Sequence, residues 1–419
     1  MEKLMVTGGK KLKGRLMANG AKNAALPIMA ACILVKGDIL LRRIPDITDV
    51  WVMMDLLREL GAKVSYDKKE ESLFINTDGV SSTRAPYHLV RKIHASFDVA
   101  GALLARFLCA EVPLPGGCVL GTRAVNFHLD GFRLLGADVS LEHGYVKATA
   151  RKLQGNRIYV GRASVGATKN IMMAATLAQG TTILENAAKE PEVTDLAGFL
   201  NAAGAKIYSL NDGTIRIDGV SQLRGIEYDI ISDRIEAGTY LLAGAITRGD
   251  ITVEGISSQF LEAFLSKLES ANIEVIRGKN YIRVKGKRRV YPVDIITSPY
   301  PGFPTDLHAP MATFLTISDG TSFIEETIFD ARFNYVDELR RLGSKIRLVD
   351  RTAVITGVDK LTDAPVEASD LRAGGALVLA GLVACGTTEI TGIEYIDRGY
   401  KSIEHNLNSL GAQVVRVKN

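Results

Sequence analysis

Cysteine is scarce in this sequence. There are four, Cys32, Cys109, Cys118 and Cys385, and no two are close enough to form a metal-ligand pair. A disulfide framework is not expected in a chain of 419 residues either, which points to a reducing, cytoplasmic compartment. An excess of one charge is also missing: 51 basic and 47 acidic residues leave a net charge of +4. That balance lacks the basic stripe of a nucleic-acid partner but leaves room for a local basic site for an anionic small molecule. No uninterrupted apolar run approaches the ~18 residues of a membrane span, so no membrane partner is expected. The opening MEKLMVTGGKKLKG has no apolar segment of the signal-peptide kind. What remains is an ordinary apolar content and length enough for two or three domains with cores of their own.

What the chain does have is a repeat. One marker reads LRELGAKV (Gly61), FRLLGADV (Gly136), LNAAGAKI (Gly204), LESANIEV (Asn272), LRRLGSKI (Gly343) and LNSLGAQV (Gly411), at steps of 68 to 75 residues. A second marker precedes it by 23 to 25 residues, at Gly37, Gly180, Gly249, Gly320 and Gly386; only the second repeat lacks it, with LCAEVPLP in its place. Glycine that ends a helix supplies the left-handed conformation at low steric cost. Alternating segments such as ITVEGI and TTEITGI read as strands. Each repeat is therefore a β-α-β-α-β-β module. Its Ala-rich helix, such as NAALPIMAACIL or AGGALVLAGLVA, is apolar on nearly every face and should be buried inside a ring of sheets. Six modules make two globules of three, joined near residues 21 and 231. A linear solenoid is the alternative, but it asks for polar terminal repeats, which are not seen.

Three of the cysteines lie in Ala/Leu-rich segments and read as buried packing. Cys118 differs: it sits in LPGGCVLGTR, between Pro113, Pro115, Gly116, Gly117 and Gly121, with Arg123 close by. Such a loop can swing over a cleft and exclude water, and the arginine favours the thiolate.

GAKNAALPI (20–28), LPGGCVLGTR (114–123), SVGAT (164–168), ENAAKEPEVTDLA (185–197), DRIEAGTY (233–240), PGFPTDL (301–307), DLRAGGALVLAG (370–381) and IDRGY (396–400) together resemble the UDP-N-acetylglucosamine 1-carboxyvinyltransferase family, over the full length and in order. The resemblance implies an α/β enolpyruvyl transferase fold: a two-domain inside-out α/β barrel with three repeats per domain. One domain would span 22–231 and the other 1–21 with 232–419. It implies transfer of the enolpyruvyl group of phosphoenolpyruvate to the 3-hydroxyl of UDP-N-acetylglucosamine. Phosphate is released by addition and elimination through a tetrahedral intermediate, with no metal or organic cofactor.

The same resemblance implies roles. Cys118 is the general acid and the residue alkylated by fosfomycin. Lys22 binds phosphoenolpyruvate, Asn23 the sugar or the intermediate, and Asp306 is the base for the acceptor hydroxyl. Arg123 and Arg398 supply cations for phosphate and carboxylate, while Arg332 and Arg372 organise the closed form. Arg123, Val125, Asn126, Phe127, Arg162, Ser164, Val165 and Gly166 hold the nucleotide, and Ile328 joins the substrate contacts. Plainer alternatives stand beside some of these: an incidental surface-loop thiol for Cys118, a solvated helix-end charge for Lys22, an N-cap for Asp306 that can hold beside the base role, and for Arg332 and Arg372 an ion pair with Asp370 or a neighbouring acid. Glu190, Glu192 and Asp195 read as hinge or fold acids.

Three positions depart from the family pattern. His94 stands where the family has arginine, RAVNF where it has RPVD (Ala124 and Asn126), and FDARF where it has FENRF (Asp330 and Ala331). A neutral imidazole in place of a charge-assisted bond forfeits about 1.5–3 kcal/mol, tenfold or more in binding. Two alternatives stay open. One is the sister 5-enolpyruvylshikimate-3-phosphate synthase family, which lacks the loop cysteine. The other is a divergent paralogue with altered substrate, or a weakly catalytic regulator that binds UDP-N-acetylglucosamine.

Overall fold

The computed structural model describes residues 2–114, 125–161, 163–210 and 213–418. The described chain forms two compact units, residues 20–114 with 125–231, and residues 2–19 with 232–418.

Each unit is centred on apolar helices: Lys22–Ala31, Val99–Phe107 and Val165–Thr176 in the first, and Arg234–Ile246, His308–Leu315 and Leu371–Val383 in the second. Every residue of Arg234–Ile246 and of His308–Leu315 is buried, as expected of helices without a polar face. In the second unit the three helices pack on one another. In the first, Val99–Phe107 packs on both of the others. Gly101 permits that approach: a Cβ there would stand 2.3 Å from the carbonyl oxygen of Asn170.

The repetition read in the sequence appears as small mixed sheets of one topology. Thr181–Glu185 runs parallel to Arg157–Tyr159 and antiparallel to Ile215–Asp218, which pairs antiparallel with Lys206–Ser209. The sheets holding Asp38–Arg42, Asp250–Glu254, Thr321–Glu325 and Thr387–Thr391 repeat this order. The sheet of Cys109–Pro113 has three strands, with a lone parallel bridge from Arg84 to Glu111 in the fourth place. The N-terminal strand Glu2–Thr7 lies antiparallel between Thr387–Thr391 and Gln413–Lys418, the last strand of the chain.

The marker residues explain themselves in the backbone. Gly61, Gly136, Gly204, Gly343 and Gly411 have φ from 86 to 109°, and Asn272, the one non-glycine marker, has φ 68°; asparagine is among the few residues that visit this region readily. In the second repeat Leu108 turns left-handed at the helix end (φ 55°) without a glycine. In ITRGDITV the left-handed residue is Arg248 (φ 54°), not Gly249. Gly249 serves close approach instead, since its Cβ would fall 2.0 Å from the Leu12 carbonyl oxygen.

Two of the cysteine expectations need correction. Cys32 is buried, and burial pushes its thiol up. Cys385 is exposed and Cys109 half-buried, because both fall on strands that follow the apolar helices, where one face meets solvent. Cys118 lies outside the described residues. Among the described residues no helix is long and apolar enough to cross a membrane.

A buried carboxyl sits beside each place where the chain leaves a unit. In the unit of residues 2–19 and 232–418, the Asn19 side-chain amide donates to both oxygens of Glu236 at 2.9 and 3.0 Å, and Asp233 N–H donates to Asn19 O at 2.8 Å. In the other unit Ala21 N–H donates to Ile231 O at 2.7 Å, and Asp195 accepts from the Tyr228 hydroxyl at 2.7 Å and from Ile231 N–H at 3.3 Å. Burial, with Asp233 adding to it, pushes Glu236 up to about 8 against the pull of Asn19 and Arg372. Burial likewise lifts Asp195 to about 6. A carboxyl raised on folding holds a proton that the unfolded chain has already lost, so stability falls as pH climbs from the unfolded value to the folded one. Urea denaturation should therefore show stability declining by a few kcal/mol between pH 5 and pH 8. Glu236→Gln should flatten most of that slope; an unchanged slope in the variant would contradict the assignment.

Candidate active site

In the first unit the site begins at a helix start. Lys22 is the first residue of Lys22–Ala31 and is buried, and its Nζ lies 2.6 Å from Asp49 Oδ2. Asp49, 2% exposed, stands in the first turn of Thr48–Glu59. Lys22 is thus not a solvated helix-end charge. Asn23 follows it, and its carbonyl accepts from Lys169 Nζ at 3.1 Å, which ties this end to Val165–Thr176.

The segments expected to hold a nucleotide converge in the same unit. Ser164 caps Val165–Thr176, its Oγ accepting from Ala167 N–H at 3.3 Å. Val165 and Gly166 form the first turn beside it, so the helix opens with amide groups suited to an anion. Val125 precedes the helix Asn126–Leu134. The ring of Phe127 lies against Gly161 and that of His128 against Gly166. His128 Nδ1 is 2.9 Å from Asn170 Nδ2, and burial lowers this histidine to about 4, leaving it neutral. Asn126 is exposed. His94 is half-buried and begins the turn His94–Asp98 that leads into Val99–Phe107. Cys118, Arg123, Ala124 and Arg162 lie outside the described residues.

In the second unit two buried guanidiniums share one carboxylate. Arg332 Nη2 donates to Asp306 Oδ1 at 2.7 Å and Arg372 Nη2 to Asp306 Oδ2 at 2.8 Å, while the Asp306 side chain stays 24% exposed. Burial works to raise Asp306, but Arg372 and Arg332 outweigh it and hold the carboxyl well below its usual range. It is therefore ionised at any working pH and weakly basic while both arginines face it. Arg372 itself is raised, because the attraction of Asp306 outweighs the desolvation that opposes it.

One plainer alternative is corrected by this pairing and another is met in part. Asp306 does not cap His308–Leu315, which has no side-chain cap. Arg332 and Arg372 are ion-paired with an acid, as that alternative had it, but the acid is Asp306 and not Asp370, whose carboxylate caps its own helix by accepting from Arg372 N–H at 2.8 Å and Ala373 N–H at 3.0 Å. Ile328 donates its N–H to Glu326 Oε1 at 2.7 Å. Arg398 is half-buried next to Asp397, whose carboxylate is bonded to Arg416 at 2.6 and 2.9 Å. Asp330 is 76% exposed and pairs with Arg351 at 3.1 Å, and Ala331 is exposed too. That departure thus lies on the surface, outside the bonds to Asp306.

Sequence reasoning missed Asp49 and Glu326. Asp49 in ITDVW looks like an ordinary acid of a first helical turn, and Glu326 is the second of two acids at a strand end. Only their burial marks them. Removing one partner of a buried ion pair strands the other charge, at a cost of about 3–5 kcal/mol. Asp49→Ala should therefore lower stability by about 3 kcal/mol in thermal or urea unfolding, whereas the double Lys22→Met, Asp49→Leu should recover most of it. Equal losses in both would show that the pair is not buried together.

The model of the family described as EPSP synthase (3-phosphoshikimate 1-carboxyvinyltransferase) matches residues 6–407. The chain is 48% identical over 419 residues to UDP-N-acetylglucosamine 1-carboxyvinyltransferase 2 of Carboxydothermus hydrogenoformans, covering all of both chains. It is also 48% identical over 418 residues, with the same coverage, to UDP-N-acetylglucosamine 1-carboxyvinyltransferase of Geobacter metallireducens. Among solved structures, the enolpyruvyl transferase NikO from Streptomyces tendae superposes with a TM-score of 0.90 at 24% identity, over 100% of this chain and 99% of that one. EPSP synthase from Acinetobacter baumannii superposes with a TM-score of 0.76 at 18% identity over the whole of both chains. The fold is thus the mixed α/β fold of enolpyruvyl transferases, and the chain belongs to the EPSP synthase family, among its UDP-N-acetylglucosamine 1-carboxyvinyltransferases.

Proposed function

We propose that this chain transfers the enolpyruvyl group of phosphoenolpyruvate to the 3-hydroxyl of UDP-N-acetylglucosamine and releases phosphate, the first committed step of peptidoglycan synthesis. The observation that carries the reading is the end-to-end likeness, at 48% identity, to enzymes of that name. The finer architecture in this reading is a pair of inside-out α/β barrels, three repeats in each, and the place of action is the cytoplasm.

In the addition step Asp306 takes the proton of the sugar hydroxyl as its oxygen bonds to C2 of phosphoenolpyruvate, and Cys118 gives a proton to the methylene carbon. In the elimination step that carbon returns a proton to the Cys118 thiolate as the bond from C2 to the phosphate oxygen breaks, and the proton held by Asp306 leaves with the phosphate. Lys22, Arg123 and Arg398 hold the phosphate and carboxylate, the lysine as a point charge and the guanidiniums through paired N–H groups that match two oxygens of either anion. Asn23 and Ile328 hold the sugar. Val125, Asn126, Phe127, Arg162, Ser164, Val165 and Gly166 hold the nucleotide. The paired guanidiniums explain how Asp306 becomes a base only with substrate present. An arginine that turns from Asp306 toward a substrate anion returns basicity to the carboxylate.

Phosphate release from the two substrates tests the whole reading. The wild type should turn over, and Cys118→Ala and Asp306→Asn should each lose at least 100-fold. Tight UDP-N-acetylglucosamine binding without turnover would favour a non-catalytic paralogue, the reading that the His94 departure supports. If His94 faces phosphoenolpyruvate, the KM for that substrate should fall between pH 8 and pH 6, and His94→Arg should lower it about tenfold and remove that pH dependence. An ordinary, flat KM in the wild type would exclude His94 from the site.

A further inference from the structure

The carboxylate of Glu326 is fully buried and occupied on both oxygens. Oε2 accepts from the Thr305 hydroxyl at 2.7 Å. Oε1 accepts from the N–H groups of Ile328 and Phe329 at 2.7 and 3.0 Å. The Thr305 hydroxyl oxygen in turn accepts from Arg332 Nη1 at 2.8 Å, and Arg332 Nη2 reaches Asp306. The Phe329 ring lies 5.1 Å from the same guanidinium. The buried Arg332 Nε has no hydrogen-bond partner among the described residues, so the two Nη contacts and the ring carry its aim.

We propose that Glu326 is a positioning residue of the transfer reaction, setting the Arg332 guanidinium against Asp306 through the Thr305 hydroxyl. The inference rests on the reading of Asp306 as the acceptor base. Charge and hydrogen alternate along this line: carboxylate, hydroxyl, guanidinium, carboxylate. A hydroxyl has one proton to give. Thr305 gives it to Glu326 and so presents a lone pair to Arg332. A glutamine at 326 has one oxygen and one NH2 group. With the NH2 toward Thr305, the hydroxyl proton loses its acceptor. With it toward the backbone, three donors face one another at Ile328 and Phe329. Either orientation strands a buried donor, and the arginine that aims Asp306 shifts. Glu326 is buried with both oxygens occupied by the protein itself, so the defect should fall on the reacting geometry more than on binding.

The test is steady-state kinetics on the full chain with UDP-N-acetylglucosamine and phosphoenolpyruvate, beside Asp306→Asn. Glu326→Gln should lower kcat at least tenfold with the KM for phosphoenolpyruvate within about threefold of wild type. Thr305→Val should do the same, Thr305→Ser should recover most of what valine loses, and the double variant should lose little more than either single one, because both act through one contact. Wild-type kcat in Thr305→Val, with Asp306→Asn inactive, would overturn the inference while leaving the base assignment intact, even where Glu326→Gln does not fold. Turnover by Asp306→Asn would overturn both. Losses in the two single variants that multiply in the double one would also overturn it.

Discussion

A helix packed on every side has no exposed flank on which to carry charge, so most of its charged groups gather near its ends, and those farther in, such as Lys169, are hydrogen-bonded. That constraint acts at helix after helix here. Lys22 opens Lys22–Ala31, Ser164 caps Val165–Thr176, Asp233 and Arg234 open Arg234–Ile246, the turn Thr305–Leu307 leads into His308–Leu315, and Asp370 and Arg372 open Leu371–Val383. The helices build the two cores, and the same burial concentrates cations and acids at a few places. Charges brought so deep must be paired, which accounts for Asp49 under Lys22 and Asp306 between Arg332 and Arg372.

The pairing has a chemical consequence. Two buried guanidiniums would be costly to keep uncompensated. Asp306 neutralises part of that charge, and it stays ionised because they neutralise it. Arg332 is held from a second side as well, by Thr305, which is itself bonded to Glu326.

The departures from the family pattern differ in depth. Asp330 and Ala331 lie at the surface, where an exposed ion pair is worth little. His94 stands half-buried at the entrance to a core helix, where losing a fixed charge matters more. Asn126 is exposed at the start of its helix, while its neighbour Phe127 packs on Gly161.

Much of the fold was legible in the chain itself. The LGAKV-like marker predicted where six helices end, because glycine, and asparagine at 272, turns left-handed at little steric cost; the earlier marker did not, since Gly37 and Gly386 each stand between two strands. The apolar helices predicted their own burial, and the motifs carried the family. The exceptions came where context outweighed residue type. Leu108 and Arg248 accept the left-handed turn that a glycine would make cheaply, and Cys385 reaches solvent despite its apolar surroundings. Pairing was not legible. Nothing local distinguishes Asp49 or Glu326 from surface acids, and nothing in DLRAGG says that Arg372 leaves Asp370 for a carboxylate 66 positions away. Residue type and spacing act over a few positions along the chain. Which charge meets which is set by how buried helix ends converge, and that exists only once the repeats have packed.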